Sequence, residues 1–318
     1  MQSRVFLIGL GSISAKYDLA DFNSLGRTHA RAVERHKDFI LVGGYDPSDS
    51  SRLEFSRYFK KPAFENLEYG LKETNPDIVV IASPTDCHLE NLKQSSLWSN
   101  PSIILCEKPV ASSIEDANKM IQNCADQNIA LFVNYFRNSE PSTFQIAEAV
   151  QNNRMQGPFS GSCTYNKGGL NTATHFLNLF ELWFGEATEF NLVSEVHNPY
   201  NPQDSNIEFE ANYLGGSINF HVDKLSSSLV FHSSIRFSNG FLDYRNEGEE
   251  IRWTESSKNG TSISIDEVPC KSIETFAKQS QYNVWNEISN FIHSENYNLC
   301  TAERATRYIV EISNLKRK

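Results

Sequence analysis

Ile103-Ile104-Leu105-Cys106-Glu107-Lys108-Pro109 is an apolar run that ends abruptly in a carboxylate, an ammonium and a proline. An unbroken apolar run of this length reads as a strand buried on both faces, the habit of parallel sheets. In open α/β sheets, ligands gather at the carboxyl ends of such strands. A lysine there can be partly desolvated, and Pro109 sets the backbone as the chain leaves the sheet. A plain solvated turn fits the same residues, so the reading depends on whether neighbouring segments supply a ligand for Lys108.

Upstream, Val5-Phe6-Leu7-Ile8 leads into Gly9-Leu10-Gly11-Ser12-Ile13-Ser14. A strand followed by Gly-x-Gly is a dinucleotide-binding turn: Gly9 permits the tight turn and Gly11 lets the backbone approach a pyrophosphate. Amides at Ser12 and Ile13 would then face the phosphates. The third position is not glycine. Either Ser14 fills it, or Gly26 does after a polar insertion, residues 15–25, that carries Asp18 and Asp21.

Phe39-Ile40-Leu41-Val42-Gly43-Gly44-Tyr45 ends in Asp46. An acidic residue there accepts hydrogen bonds from an adenosine ribose and repels a 2′-phosphate, which favours NAD, with NADP as the alternative. Arg52 nearby could soften that preference, and Asp46 also fits a helix cap. Asp77-Ile78-Val79-Val80-Ile81-Ala82 ends in Ser83-Pro84-Thr85, a small turn able to pass beneath a nicotinamide ribose, with His88 on the following helix. A helix over residues 114–128, capped by Ser112 or Ser113, and Ala130-Leu131-Phe132-Val133-Asn134-Tyr135 continue the alternation. Strand and helix alternating this way imply a doubly wound parallel sheet, a Rossmann-type domain over residues 1–137.

The chain has 318 residues, enough for two domains. Its formal net charge of −10 argues against nucleic acid or an anionic membrane as the main partner. Cys87, Cys106, Cys124, Cys163, Cys270 and Cys300 lie far apart with no metal-ligand spacing, so no metal is expected and buried free thiols fit a reducing cytoplasm. The N-terminus lacks the pattern of a signal peptide, and no apolar run approaches the length of a membrane span.

After residue 138 the pattern changes. A helix over 142–153 precedes alternating runs at 159–165, 189–197, 207–213, 216–222, 229–237, 241–245, 250–254 and 262–265, several joined as hairpins. Two helices, 282–293 and 301–315, finish the chain. This predicts a second α/β domain, 138–318, with a large open, mostly antiparallel sheet. Its most informative segment is Tyr165-Asn166-Lys167-Gly168-Gly169-Leu170-Asn171-Thr172-Ala173-Thr174-His175, followed by an amphipathic helix stopped at Gly185. Asn171 and His175 are four apart and would project to one side of an α-helical turn.

Gly9-Leu10-Gly11-Ser12-Ile13, residues 77–84 with His88, and Glu107-Lys108-Pro109, in this order, resemble the Gfo/Idh/MocA oxidoreductase family. The resemblance extends over most of the chain. It implies an N-terminal Rossmann domain and a C-terminal α/β domain whose open sheet covers the nicotinamide and commonly mediates dimers or tetramers. It also implies an NAD(P)-dependent enzyme acting on a sugar or nucleotide-sugar, of the kind found in polysaccharide biosynthesis. Lys108 and His175 match the family's catalytic positions, and Asn171 stands where Asp is usual, with Ala173 where Gly is usual. Asn holds a hydroxyl but takes no proton at neutral pH, so proton transfer falls to Lys108 and His175. Asn171, Tyr165, Lys167 and Arg137 are the candidates for holding substrate. Gly9, Gly11, Ser12, Ile13, Asp46, Ser83, Pro84, His88, Glu107 and Lys108 are those for the cofactor. Within the same fold, a non-catalytic dinucleotide-binding regulator and an NAD-dependent glycoside-cleaving enzyme are the alternatives.

Overall fold

Apolar runs closed by glycine or small polar residues build the first sheet. The computed structural model describes residues 2–19, 21, 23–256 and 270–316. The elements of the first part are β1 (Ser3–Ile8), α1 (His29–Arg35), β2 (Phe39–Tyr45), α2 (Asp49–Phe59), β3 (Ala63–Phe64), α3 (Leu67–Thr74), β4 (Ile78–Ile81), α4 (His88–Trp98), β5 (Ile103–Cys106), α5 (Ile114–Asp126) and β6 (Ala130–Val133). The second part supplies α6 (Pro141–Gln151), β7 (Phe159–Tyr165), α7 (Thr174–Phe184), β8 (Glu189–Val196), β9 (Asn206–Tyr213), β10 (Gly216–Val222), β11 (Phe231–Phe237), β12 (Gly240–Arg245), β13 (Glu250–Glu255) and β14 (Cys270–Ile273). The chain ends in α8 (Ser280–Ile292), β15 (Cys300–Thr301) and α9 (Ala302–Leu315).

The first sheet has the order β15-β6-β5-β4-β1-β2-β3, parallel except for β15 against β6. Every residue of β4 is fully buried, as are Val5 to Ile8 of β1, because helices cover both faces. The register sets Tyr45 beside Ile8, Ile8 beside Ile81, Ile81 beside Cys106 and Cys106 beside Val133. The residues that follow these strands therefore form one row along the carboxyl edge: Asp46, Gly9, Ala82, Glu107 and Asn134. Backbone bonds continue across that row, from Gly9 to Tyr45, Ala82 to Ile8, Glu107 to Ile81 and Asn134 to Cys106, each 2.8 Å. Side-chain caps start the helices: Thr28 accepts from Arg31, Ser48 from Ser51 and Ser113 from Asp116.

The second sheet has the order β14-β13-β12-β11-β7-β10-β9-β8, antiparallel except for β7 beside β10. Alternate residues are buried, as in Ile207, Phe209, Ala211 and Tyr213 of β9. α7 lays its apolar stripe on this face, with Phe176 stacked on Phe231 at 3.6 Å and Phe180 edge-on to Phe220 at 5.9 Å. Gly185, at φ 83°, ends α7 where the sequence places its stop.

The structure departs from the two-domain division at 137/138. One compact unit comprises Met1–Ser139 and Lys278–Arg307; the other comprises Glu140–Ala277 and Tyr308–Lys318. Val284, Trp285 and Ile288 of α8 belong to the core of the first sheet with Phe39 and Val33. An amphipathic helix late in the chain carries no mark of which sheet it covers, so the sequence alone suggests a single boundary. β15, an antiparallel edge strand of two residues, is too short to announce itself in sequence. The strand expected at 262–265 lies outside the described residues. Cys106, Cys124, Cys163 and Cys300 are buried, whereas Cys87 and Cys270 are exposed. Among the described residues no helix is long and apolar enough to cross a membrane, and no group of three His, Cys, Asp or Glu side chains is placed to hold a metal.

Candidate active site

The row at the carboxyl edge of the first sheet brings several predicted residues together. Gly9 has φ +86°, and a Cβ on it would lie 2.7 Å from the carbonyl oxygen of Ala82 and the nitrogen of Ser83. Only glycine lets β1 turn this close to the end of β4. Among the described residues, a Cβ on Gly11 would meet nothing within 4 Å, so they leave its face of the turn open. Ser12 and Ile13 start a short π-helical turn, Ser12–Lys16, after which the inserted segment leads to α1. Gly26 has φ +146° and a Cβ there would lie 2.6 Å from Ala32, so Gly26, rather than the buried Ser14, makes the close approach to the helix.

Asp18 organises the insertion. It is 2% exposed and accepts from the backbone nitrogens of Arg27 and Thr28 and from the hydroxyls of Ser24 and Thr28. A carboxylate at these amides also suits the positive end of α1. Asp46 similarly braces the glycine turn: one carboxylate oxygen accepts from Leu10 N at 2.8 Å, the other from Ser48 N at 2.8 Å. Arg52 does not face outward to soften the charge at this strand end. Its guanidinium donates to the Asp46 and Pro47 carbonyls and pairs with Asp49.

Glu107 and Lys108 are both partly buried at the end of β5. Glu107 lies 3.1 Å from His29 Nε2 and accepts from Asn134 Nδ2 at 2.7 Å. Burial pushes its carboxyl up, but the hydrogen bonds from His29 and Asn134 and the nearby Lys108 charge outweigh this and hold it below the ordinary carboxylate value. Ser83 and Pro84 follow β4 on the neighbouring turn; the Ser83 hydroxyl accepts from Asn91 at 2.8 Å. His88 does not present its ring to a ligand, contrary to the sequence expectation. It is 1% exposed, with Nε2 2.9 Å from the Ser83 carbonyl and Nδ1 3.1 Å from the Val110 carbonyl. Its ring ties the two turns together.

In the second unit, Lys167 has φ +66° and Gly168 φ +110°, a sharp bend leading into a π-helical turn, Gly169–Ala173. Asp204, from the loop before β9, accepts from Leu170 N at 2.9 Å and Asn171 N at 2.8 Å. A Cβ on Gly168 would collide with that carboxylate. Asn171 is exposed and donates to the Lys167 carbonyl at 3.0 Å, whereas His175 is 4% exposed, edge-on to Phe231 at 6.3 Å. An α turn would have stacked the pair on one side; the wider π turn between them gives them different surroundings. The Lys167 ammonium lies over the Tyr200 ring at 5.3 Å.

Two predicted substrate residues are corrected. Tyr165 is fully buried, and its hydroxyl donates to the Ile207 carbonyl at 2.6 Å and accepts from Ile207 N at 2.9 Å. It ties the end of β7 to the start of β9, two strands away in the same sheet. Arg137 is 4% exposed, its guanidinium over the Phe136 ring at 4.5 Å, so it offers no accessible charge. Sequence reading missed His29, Asn134 and Asp204, whose partners are distant in the chain, and Asn138, a buried carboxamide with neither polar atom hydrogen-bonded among the described residues.

Comparison with known proteins agrees with the fold. Residues 4–135 match the GFO_IDH_MocA model, described as an oxidoreductase family with an NAD-binding Rossmann fold. Glucose-6-phosphate 3-dehydrogenase of Bacillus subtilis (strain 168) is 31% identical over 105 residues, 33% of this chain and 29% of that protein. The first curated relatives are matched over 29%, 42% and 63% of their own length. Among solved structures, UDP-N-acetylglucosamine 3-dehydrogenase GnnA from Acidithiobacillus ferrooxidans superposes with a TM-score of 0.73 at 16% identity, covering 99% of this chain and 96% of that one. A super-repressor mutant of Gal80p from Saccharomyces cerevisiae gives 0.77 at 14% identity, covering 100% and 95%. At such identities these structures show the fold alone. Over residues 4–135 the chain matches the Gfo/Idh/MocA oxidoreductase family model, whose NAD-binding Rossmann fold agrees with the parallel sheet of the first unit.

Proposed function

We propose that this chain is an NAD(P)-dependent oxidoreductase that interconverts a secondary alcohol and a ketone on a sugar or nucleotide-sugar. The observation that carries the reading is the row at the sheet's carboxyl edge, which sets Asp46, the Gly9 turn and the Glu107-Lys108 turn side by side. The turn fits a dinucleotide: Gly9 needs its positive φ, and the open face of Gly11 leaves room for a pyrophosphate. Gly9, Gly11, Ser12 and Ile13 would hold the phosphates, Asp46 the adenosine ribose, and Ser83, Pro84 and Glu107 the nicotinamide end. When bound, the nicotinamide supplies the hydride acceptor or donor.

The protein's own task is to position the carbinol and move its hydroxyl proton. Lys108 takes that proton in the oxidative direction and donates it to the carbonyl oxygen in the reverse direction. From the second unit, His175 is carried forward as the residue that orients or relays the proton. Asn171 and Lys167 remain as substrate donors, with the exposed Asn171 able to hold a hydroxyl but not to ionise. With Asp46 at the end of β2, NAD is the preferred cofactor.

One relative is named for action on a phosphorylated sugar, and one solved neighbour for action on a nucleotide-sugar. A panel of both classes, followed by nicotinamide absorbance, tests the proposal. Turnover with at least one supports it, and binding of NADH with no turnover across the panel points to a non-catalytic regulator. Product formed with no net change in cofactor would indicate glycoside cleavage instead. We further propose a homo-oligomer formed through the open face of the second sheet, where Ser160, His232 and Arg236 are exposed between buried neighbours. Light scattering that shows a monomer would remove that part.

A further inference from the structure

Glu107, assigned above to the nicotinamide end, is also held in a buried network whose other members have no role so far. Its Oε1 is 3.1 Å from His29 Nε2 and 2.7 Å from Asn134 Nδ2, and Asn134 Nδ2 also donates to Gln281 Oε1 at 2.9 Å. Gln281, in α8, donates its backbone nitrogen to the Gly26 carbonyl at 3.1 Å, just ahead of α1. His29 and Gln281 are 0% exposed and Asn134 2%.

The bond directions follow from the carboxylate, and they make the 3.3 Å approach of Asn134 Nδ2 to His29 Nε2 a contact between two donors rather than a bond. An ionised Glu107 only accepts, so Asn134 must turn its nitrogen toward it and His29 must carry a proton on Nε2. The second Asn134 hydrogen then goes to the Gln281 oxygen. Among the described residues, His29 Nδ1, Asn134 Oδ1 and Gln281 Nε2 have no hydrogen-bond partner. A network whose outer atoms find no protein partner holds a fold less well than apolar side chains of similar volume. The cluster is therefore poorly explained by stability and well explained by the need to keep a carboxylate in one place beside Lys108.

We propose that His29, with Asn134, is a positioning residue that fixes the Glu107 carboxylate and through it the Glu107-Lys108 turn. The inference rests on the reading of Lys108 given above. His29 opens α1, directly behind the glycine turn and its insertion, so the same ring ties the cofactor-binding turn to the turn that carries Lys108.

The test compares wild type with His29→Leu, His29→Gln, Asn134→Ser, Glu107→Gln and the double variant His29→Leu/Glu107→Gln. Turnover is measured with the sugar or nucleotide-sugar on which the wild type acts, alongside NADH affinity and thermal unfolding. His29→Leu is expected to lower kcat about 100-fold, as small displacements of reacting groups do, while KM and NADH affinity stay within about twofold. His29→Gln, which keeps an amide donor, should recover most of the loss. The double variant should be no slower than Glu107→Gln, because both changes act through one carboxylate. An unchanged kcat, full additivity, or a loss that follows thermal stability with no recovery in His29→Gln would overturn the proposal. If His29→Leu does not fold, His29→Gln and Asn134→Ser decide: near-wild-type kcat in the former with a loss in the latter supports it, and no loss in Asn134→Ser overturns it. A substrate-free check is the carbon NMR signal of the Glu107 carboxyl, which should titrate at higher pH in Asn134→Ser; an unmoved titration contradicts the network. Turnover surviving in Lys108→Ala would instead remove the underlying reading of Lys108.

Discussion

Glu107 and Asp204 are two carboxylates that each brace a candidate residue, and they do so in opposite ways. Glu107 is held by side chains from α1 and the end of β6, and its neighbour Lys108 sits on a turn shaped by strand register. Asp204 is the holder: it grips two backbone amides of a π-helical turn and sets the bend from Lys167 to Asn171. The first arrangement fixes a charge, and the second fixes a backbone. Chemistry at Lys108 should therefore be sensitive to small side-chain changes that leave the fold intact. The segment leading to His175 should instead respond to changes that loosen the chain.

The largest effect on stability is expected from Asp204→Ala, which leaves two amides without their charged acceptor. The loss should be about 3 kcal/mol, read from denaturant unfolding. Glu107→Gln keeps an acceptor for His29 and Asn134 and should destabilise clearly less. A larger loss for Glu107→Gln would break the contrast between a held charge and a held backbone.

Next comes the cofactor end of the first row. Asp46→Ser should reduce the preference for NAD over NADP about tenfold, equivalent to roughly 1.4 kcal/mol, measured as the ratio of the two dissociation constants. An unchanged ratio would show that the carboxylate serves the Leu10 amide and not the ribose.

The smallest effect is on acid stability, and the two units should differ in sign. Glu107 has a folded value below the unfolded one, so its contribution is complete above about pH 4.5 and is lost as pH falls through the lower folded value. Burial pushes Glu140 in the other unit up, against bonds from Ser142 and the backbone, so its contribution grows as pH falls through the raised value. Glu107→Gln should flatten the loss of stability on acidification and Glu140→Gln should steepen it, as followed by thermal unfolding across that range. The same direction for both variants would contradict the assignment.

The first unit was largely legible because its signals are local. β2 and β5 begin and end where their apolar runs do, and the Gly9, Asp46 and Glu107 positions follow from strand ends. What could not be read was the pairing of distant residues. His29 meets Glu107 across 78 positions, and Asp204 meets Leu170 across 34, with no periodicity to announce either. Tyr165 misled for a related reason: a tyrosine at a strand end suits substrate and backbone equally, and only the approach of Ile207 decides. The spacing of Asn171 and His175 presumed an α turn, whereas the bend at Lys167 and Gly168 and the grip of Asp204 impose a π turn.

The most direct test of the account is the Lys108→Ala variant, assayed for nicotinamide turnover on a substrate of the wild type and, separately, for NADH affinity. The account predicts a fall in kcat of at least about 1000-fold, the range of a lost general acid–base, with NADH bound nearly as tightly as before. Turnover that persists within about tenfold of wild type, with the cofactor still bound, would contradict it.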